Sequence, residues 1–254
     1  MDYFVQPHSI VRKIWGKSDT ILFIFAGAAA EFALNKAVDW LYFTGRLPAD
    51  PIGRLFSTVA YAREIVFAPK AEAEKAIAKI SSIHSAVEKN RGSKIPDWAY
   101  RDVLFMLIHY SISAFELLER KLTPEEQEEV YNVFLRVGLG MHIPDLPPTY
   151  SAWLAVRERH MQTDLAHSNY TDDLFLQYRK HLGAFRYGVM REGQMLVVPK
   201  TVATLLNFRK FSFLSPIVPL YQFSRRLKLD GLIKALLLPS TYKKHIYDLD
   251  IVAN

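Results

Sequence analysis

Residues 50–90 read DPIGRLFSTVAYAREIVFAPKAEAEKAIAKISSIHSAVEKN, and this stretch decides the class of the fold. Asp50-Pro51 is a helix start: an aspartate side chain caps the first free N–H groups, and proline suits the first turn because no amide hydrogen is needed there. The helix so opened runs from about Pro51 to Phe67, with Pro69 as its stop. A second follows at once, from about Lys70 to Asn90, closed by Arg91-Gly92. In it Ala73, Ile77, Ile80, Ile83 and Val87 recur at helical spacing, while Glu72, Glu74, Lys75, Lys79 and Glu88 take most of the other face.

The same punctuation continues on both sides. Asp97 caps a helix from about Trp98 to Lys121, and Thr123-Pro124-Glu125-Glu126 is a capping box for one ending near Gly138 and Gly140. Pro144 to Pro148 form a rigid loop; Thr149 caps a helix to about His167, and Thr171-Asp172-Asp173 another to about Phe185. Upstream, Thr20 to Leu34 (TILFIFAGAAAEFAL) is too short for a membrane span, which needs roughly twenty apolar residues, and it carries Glu31, so it is a buried core helix. Arg186 to Val198 (RYGVMREGQMLVV) fits a short β-hairpin or an ordered loop. After Pro199 the chain is helical again, broken at Pro216, Pro219 and Gly231. Strand alternation, internal repeats and polar linkers are missing, so the expectation is an all-α, multi-helix chain forming a single domain over residues 1–254.

Half of the 254 residues are hydrophobic, enough for a sizeable core. Lys plus Arg exceed Asp plus Glu by 32 to 26, a modest positive balance that favours anionic ligands or surfaces and does not indicate nucleic acid. With no cysteine, disulfide scaffolds, thiolate metal sites and thiol nucleophiles are excluded. The N-terminus (MDYFVQPHSIVRKIW) lacks the pattern of a secretory signal, so a cytoplasmic location is expected. Phosphate-binding glycine loops, H-E-x-x-H and G-x-S-x-G are absent.

His84 lies inside the apolar stripe of the second helix, so its ring is expected to face the core. Two readings remain: a core histidine bonded to a carbonyl, or a neutral imidazole of the kind that ligates a haem iron. On the preceding helix Arg54, Ser57, Thr58 and Tyr61 form one polar stripe at i, i+3, i+4 and i+7, beside the apolar Leu55, Val59, Ala62 and Val66. One arginine with three hydroxyls and no Lys or Glu fits a pocket wall as well as a solvated face. His109, within the wholly apolar run Val103 to Tyr110, is expected to be buried, either as a hydrogen-bonded core residue or bonding a cofactor propionate or oxidant. His160, Asp164 and His167 share a helix face and could hold a divalent metal, although Arg157, Glu158 and Arg159 make that stretch read as solvent-facing. The C-terminal quarter mixes large apolar residues with Arg209, Lys210, Arg225, Arg226, Lys228, Lys234, Lys243 and Lys244; it either contacts an anionic membrane peripherally or closes the core with a basic outer face.

Taken in order, several pieces resemble one family. They are Gly27 with its small-residue helix, Asp50 to Thr58, the Phe67-to-Glu74 junction, Ile83-His84-Ser85-Ala86-Val87, Leu107-Ile108-His109, the Leu122-to-Glu126 capping box and Leu236-Leu237-Leu238-Pro239. Their order and spacing are similar to the catalytic domain shared by the MpaB-type oxygenases and the bacterial rubber oxygenases called latex-clearing proteins. The resemblance implies a globin-like helical core around a haem pocket, haem b held by His84, and Arg54 and Thr58 on the distal side, with Ser57, Tyr61 and His109 completing the cofactor site. It further implies O2 as co-substrate, a hydrophobic small molecule, isoprenoid or aromatic, as substrate, and a redox partner. Ser57 stands where latex-clearing proteins carry a lysine and is too short to ligate strongly, which implies an open or water-bound sixth iron position. Ala33 and Lys36-Ala37 replace a Gln and a His-Pro pair found in many members, marking a divergent one. A non-catalytic haem- or lipid-binding protein at a membrane surface is the competing expectation.

Overall fold

Helix caps written in the sequence are made as hydrogen bonds. In the computed structural model, which describes residues 2–45 and 49–226, Asp50 Oδ1 accepts from Gly53 N at 2.8 Å, Thr123 and Glu126 form the reciprocal capping box, and Thr149 accepts from Ala152 N. The described residues form α1 (Ile10–Trp15), α2 (Ser18–Phe32), α3 (Asp39–Phe43), α4 (Pro51–Phe67), α5 (Lys70–Arg91), α6 (Asp97–Leu118), α7 (Pro124–Gly140), α8 (Tyr150–Thr163), α9 (Asn169–Val197), α10 (Lys200–Leu205) and α11 (Ile217–Arg226). Two isolated bridges, Tyr3 with Pro69 and Asn35 with Leu165, are the extent of β-pairing among these residues, and the class is all-α. No described helix is long and apolar enough to cross a membrane. The Gly231 break, the Leu236–Pro239 match and the basic residues from Lys228 to Lys244 lie outside the described residues, as does the side chain of Leu55.

At the centre α2 packs along α6. Gly27 makes the approach possible, because a Cβ there would sit 2.3 Å from the Tyr110 ring. Ile21, Ile24 and Phe25 meet Leu104, Phe105, Ile108 and Phe115, and Trp15 of α1 joins them, donating from Nε1 to Ser111 Oγ at 3.1 Å. Each fully buried apolar side chain of this size contributes about 1.5–3 kcal/mol. A second cluster, including Ala30, Leu34, Leu174, Phe175, Tyr178 and Val202, lies under α9 and α10.

Several boundaries differ from the sequence expectation. Pro96 holds the cap position of α6, with Asp97 as its first residue, and that helix ends at Leu118. Helix α8 ends at Thr163, not His167. Ser168 caps α9, and Thr171 is the third helical residue, closing a capping box back to it. The expected hairpin or loop at 186–198 is helix. Its valines and glycines suggest otherwise, but Tyr187, Met190, Gln194 and Val197 recur at three-four spacing and turn toward the two clusters. The break that the pattern placed at Phe185 is instead a local kink at Gly183, whose φ of 74° and ψ of 165° suit glycine alone.

In the α4–α5 hairpin the joint Ala68-Pro69 is extended and tied to the N-terminal strand-like segment by Lys70 N donating to Asp2 O. Val59, Ile65 and Val66 of α4 and Ala73, Ala76 and Ile77 of α5 are buried. Past Ile77 no α5 side chain is buried, and Ile83 is 39% exposed. The apolar stripe continues in sequence, but the helix outruns the core. His84 is accordingly half-buried and not a core residue.

Candidate functional site

Hairpin register pairs the two residues singled out above. Arg54 precedes the joint by about as many residues as His84 follows it, and at 1.5 Å per residue both stand roughly 21–23 Å from the bend. They are electrostatic neighbours: burial first, then the Arg54 charge, lowers the His84 pKa below its ordinary value, with Glu88 opposing. The imidazole is therefore neutral near pH 7. Its Nδ1 is buried without a hydrogen-bond partner. Glu88, one turn on, directs its Oε1 elsewhere, accepting from Tyr100 Oη at 3.1 Å and from Ile95 N at 2.9 Å. The Tyr100 ring meets the His84 ring at 60°, with centroids 5.2 Å apart. A histidine bonded to a main-chain carbonyl through that nitrogen is not what the structure holds.

The polar stripe of α4 is also half-buried throughout, neither solvated face nor core. Arg54 Nη1 donates to Ser57 Oγ at 3.0 Å and reaches Thr58 Oγ1 at 3.5 Å. Both hydroxyls in turn donate to the Arg54 carbonyl, at 2.7 and 3.2 Å. Tyr61 continues the stripe with its ring 5.5 Å from Lys79 Nζ. Arg54, Ser57, Thr58 and His84 are thus brought together.

His109 keeps different company. Half-buried on α6, it lies 3.3 Å from Ser113 Oγ through Nε2 and bonds the Val197 backbone. Burial, followed by the Arg157 charge, pulls its pKa down to about 4. The residues acting on it belong to a buried polar seam that sequence reasoning missed. Glu31 of α2 binds both terminal nitrogens of Arg157 of α8 at 2.5 Å and accepts from Tyr110 Oη at 2.8 Å. Burial works against the Arg157 charge, but Glu31 more than offsets it, and the guanidinium pKa rises. The stretch read as solvent-facing therefore has Arg157 at 3% and His160 at 8% exposure. The one cue in sequence was Glu31 itself, a charge inside an apolar helix that needs a buried partner.

Beside this pair, His160 Nδ1 lies 2.5 Å from Asp102 Oδ1, and Asp102 Oδ2 accepts from Asn35 Nδ2 at 2.7 Å. Burial raises the Asp102 pKa against the lowering effect of His160. Ligand atoms of Asp102, His160 and Asp164 lie within 4.8 Å of one another, close enough to share a cation. Of the three residues proposed from sequence, His160 and Asp164 belong to this group, while His167 pairs with Asp172 at 3.2 Å. An open surface hollow of 690 Å³ is lined by Gln6, Glu125, Glu128 and Arg136, and a 380 Å³ hollow by His167, Arg179 and Arg191; neither includes Arg54 or His84.

Residues 13–227 match the family described as ER-bound oxygenase mpaB/B'/Rubber oxygenase, catalytic domain. Neither a curated protein nor a solved structure matches the chain.

Proposed function

The chain belongs to the mpaB/rubber oxygenase catalytic-domain family, and from that premise we propose that it is a haem b-dependent oxygenase acting on a hydrophobic small molecule, an isoprenoid or an aromatic. The observation that carries the proposal is the pairing of Arg54 with a neutral His84 whose Nδ1 is buried and unpartnered. These residues fit the group in kind: iron takes an uncharged imidazole, and an imidazole not committed to a carboxylate is available to it. His84 would hold the iron, and Arg54, Ser57, Thr58 and Tyr61 would line the pocket that receives the group. A globin-like core is part of the same proposal. Haem, when bound, supplies the redox chemistry with O2 that no protein side chain provides.

The protein's own contribution is electrostatic and positional. Arg54 carries a permanent charge, and its bonds to Ser57 and Thr58 hold the guanidinium in one place before any ligand arrives. A cation fixed in advance stabilises negative charge developing beside it without reorganisation. Thr58 Oγ1, now donating to the Arg54 carbonyl, can rotate its proton toward a ligand. Ser57 is too short to cover the ligand side, so access is left to Arg54 and Thr58. Tyr100, whose ring meets that of His84, supplies apolar surface suited to a hydrophobic substrate.

The test is optical and kinetic. Protein reconstituted with haemin shows a Soret band that His84→Ala loses while its far-ultraviolet circular dichroism is retained. Oxygen uptake with polyprenyl or aromatic substrates then falls in Arg54→Ala by about 10²–10³-fold, the effect of removing one preorganised charge-stabilising donor. A protein that takes up no haem, or a His84→Ala variant that binds it equally well, overturns the assignment.

A further inference from the structure

Residues 207–223 invert the usual polarity of a protein surface. Phe211 is 78% exposed, Phe213 73%, Leu220 67%, Phe223 57% and Ile217 47%. Three polar side chains of the same segment, Ser212, Tyr221 and Gln222, are turned toward the protein instead. Ser212 is buried, donating to the Glu192 carbonyl at 3.0 Å and to Glu192 Oε2 at 2.9 Å; the same Oε2 accepts from Phe213 N at 2.7 Å, and Arg209 bonds Oε1. On α11 Tyr221 donates to Asp19 Oδ2 at 2.9 Å and Gln222 to the Leu117 carbonyl at 2.8 Å. Ile217, Leu220 and Phe223 therefore share the outward face of a helix whose inward face is fixed by polar bonds. Five large apolar side chains are held in water by a backbone that is itself tied down.

Charge indicates what covers them. From residue 207 to residue 229 the sequence has five basic residues, Arg209, Lys210, Arg225, Arg226 and Lys228, and no Asp or Glu. A second copy of the chain would bring the same positive charge against itself. An anionic lipid surface satisfies both features, taking apolar side chains into the headgroup–acyl boundary and basic ones at the headgroups. The guanidinium of Arg209 stacks 3.7 Å above the Phe213 ring, so cation and insertable aromatic stand side by side.

We propose that this edge docks the protein on anionic membranes, with Phe211, Phe213, Leu220 and Phe223 entering the interface and the basic residues of the segment, Lys210, Arg225 and Arg226, meeting the headgroups. The inference is independent of the haem assignment.

The test is co-sedimentation of the full chain with phosphatidylcholine vesicles, with and without phosphatidylserine. The wild type pellets with the anionic vesicles and is released as salt rises. Combined Phe211→Ser, Phe213→Ser and Leu220→Ser loses binding; so does combined Lys210→Glu, Arg225→Glu and Arg226→Glu, by roughly a hundredfold or more given the contribution of each basic residue near such a surface. Unchanged circular dichroism shows that both variants fold. Wild-type protein that stays in the supernatant, or a serine variant that pellets like wild type, overturns the proposal. So does a dimer, seen by light scattering, that the serine variant dissociates, since the face would then belong to a second copy.

Discussion

The seam between α2, α6 and α8 and the hairpin of α4 with α5 both withdraw titratable groups from water, and they differ in how those groups are satisfied. In the seam Glu31 engages Arg157 twice and Tyr110 once, and Asp102 engages His160 and Asn35; Arg157 Nε is the one nitrogen of that arginine without a partner. In the hairpin Arg54 bonds hydroxyls of its own helix, and His84 keeps a buried nitrogen unpaired. A closed buried network specifies how helices meet, because any other packing strands a charge. A half-buried set with an unmet nitrogen leaves valence for a ligand to complete.

Breaking the seam has the largest effect. Arg157→Leu leaves Glu31 charged in the core and costs about 3–5 kcal/mol, read as a fall in the urea midpoint at unchanged m-value. Adding Glu31→Leu removes the stranded charge and recovers most of that loss. If the single variant is as stable as the double, the seam does not specify the packing as argued.

Acid exposes the next contrast. An unfolded histidine binds a proton near pH 6.5, whereas folded His109 resists until about 4. Between those values the unfolded state holds the extra proton, so stability from this residue is complete above 6.5 and is lost progressively as the pH falls to 4. His109→Gln should flatten that part of the stability–pH curve by about 1–3 kcal/mol across the window. An equally steep curve in the variant would assign the acid sensitivity to other groups.

Legibility in the sequence followed the range of the interaction. Local chemistry could be read directly: the Asp50-Pro51 start, the Thr123–Glu126 capping box and the Pro69 joint set α4, α5 and α7 close to where they stand. Arg54, Ser57 and Thr58 were recognisable as one stripe for the same reason, since i, i+3 and i+4 neighbours need no tertiary knowledge. The Glu31–Arg157 pair spans 126 residues, and only packing brings it together. A flanking Glu158 and Arg159 therefore disguised a buried arginine as part of a solvated face. His84 erred in the opposite direction, because periodicity shows which face of a helix is apolar but not how far along that face the core extends.

The smallest effect on stability carries the sharpest reading of the hairpin. Arg54→Met keeps the length and apolar stem of the side chain while removing its charge and its bonds to Ser57 and Thr58, and at this half-buried position the stability change is on the order of 1 kcal/mol. The His84 titration, followed by ring proton shifts in haem-free protein, must nevertheless move. Its pKa is depressed first by burial and then by the Arg54 cation, so losing the cation raises it, while burial keeps it below the ordinary value. Glu88→Gln removes the opposing charge and moves the same pKa down. Opposite displacements from two substitutions on two helices place His84 between them electrically; a titration that ignores Arg54→Met would separate the two residues that the hairpin register pairs.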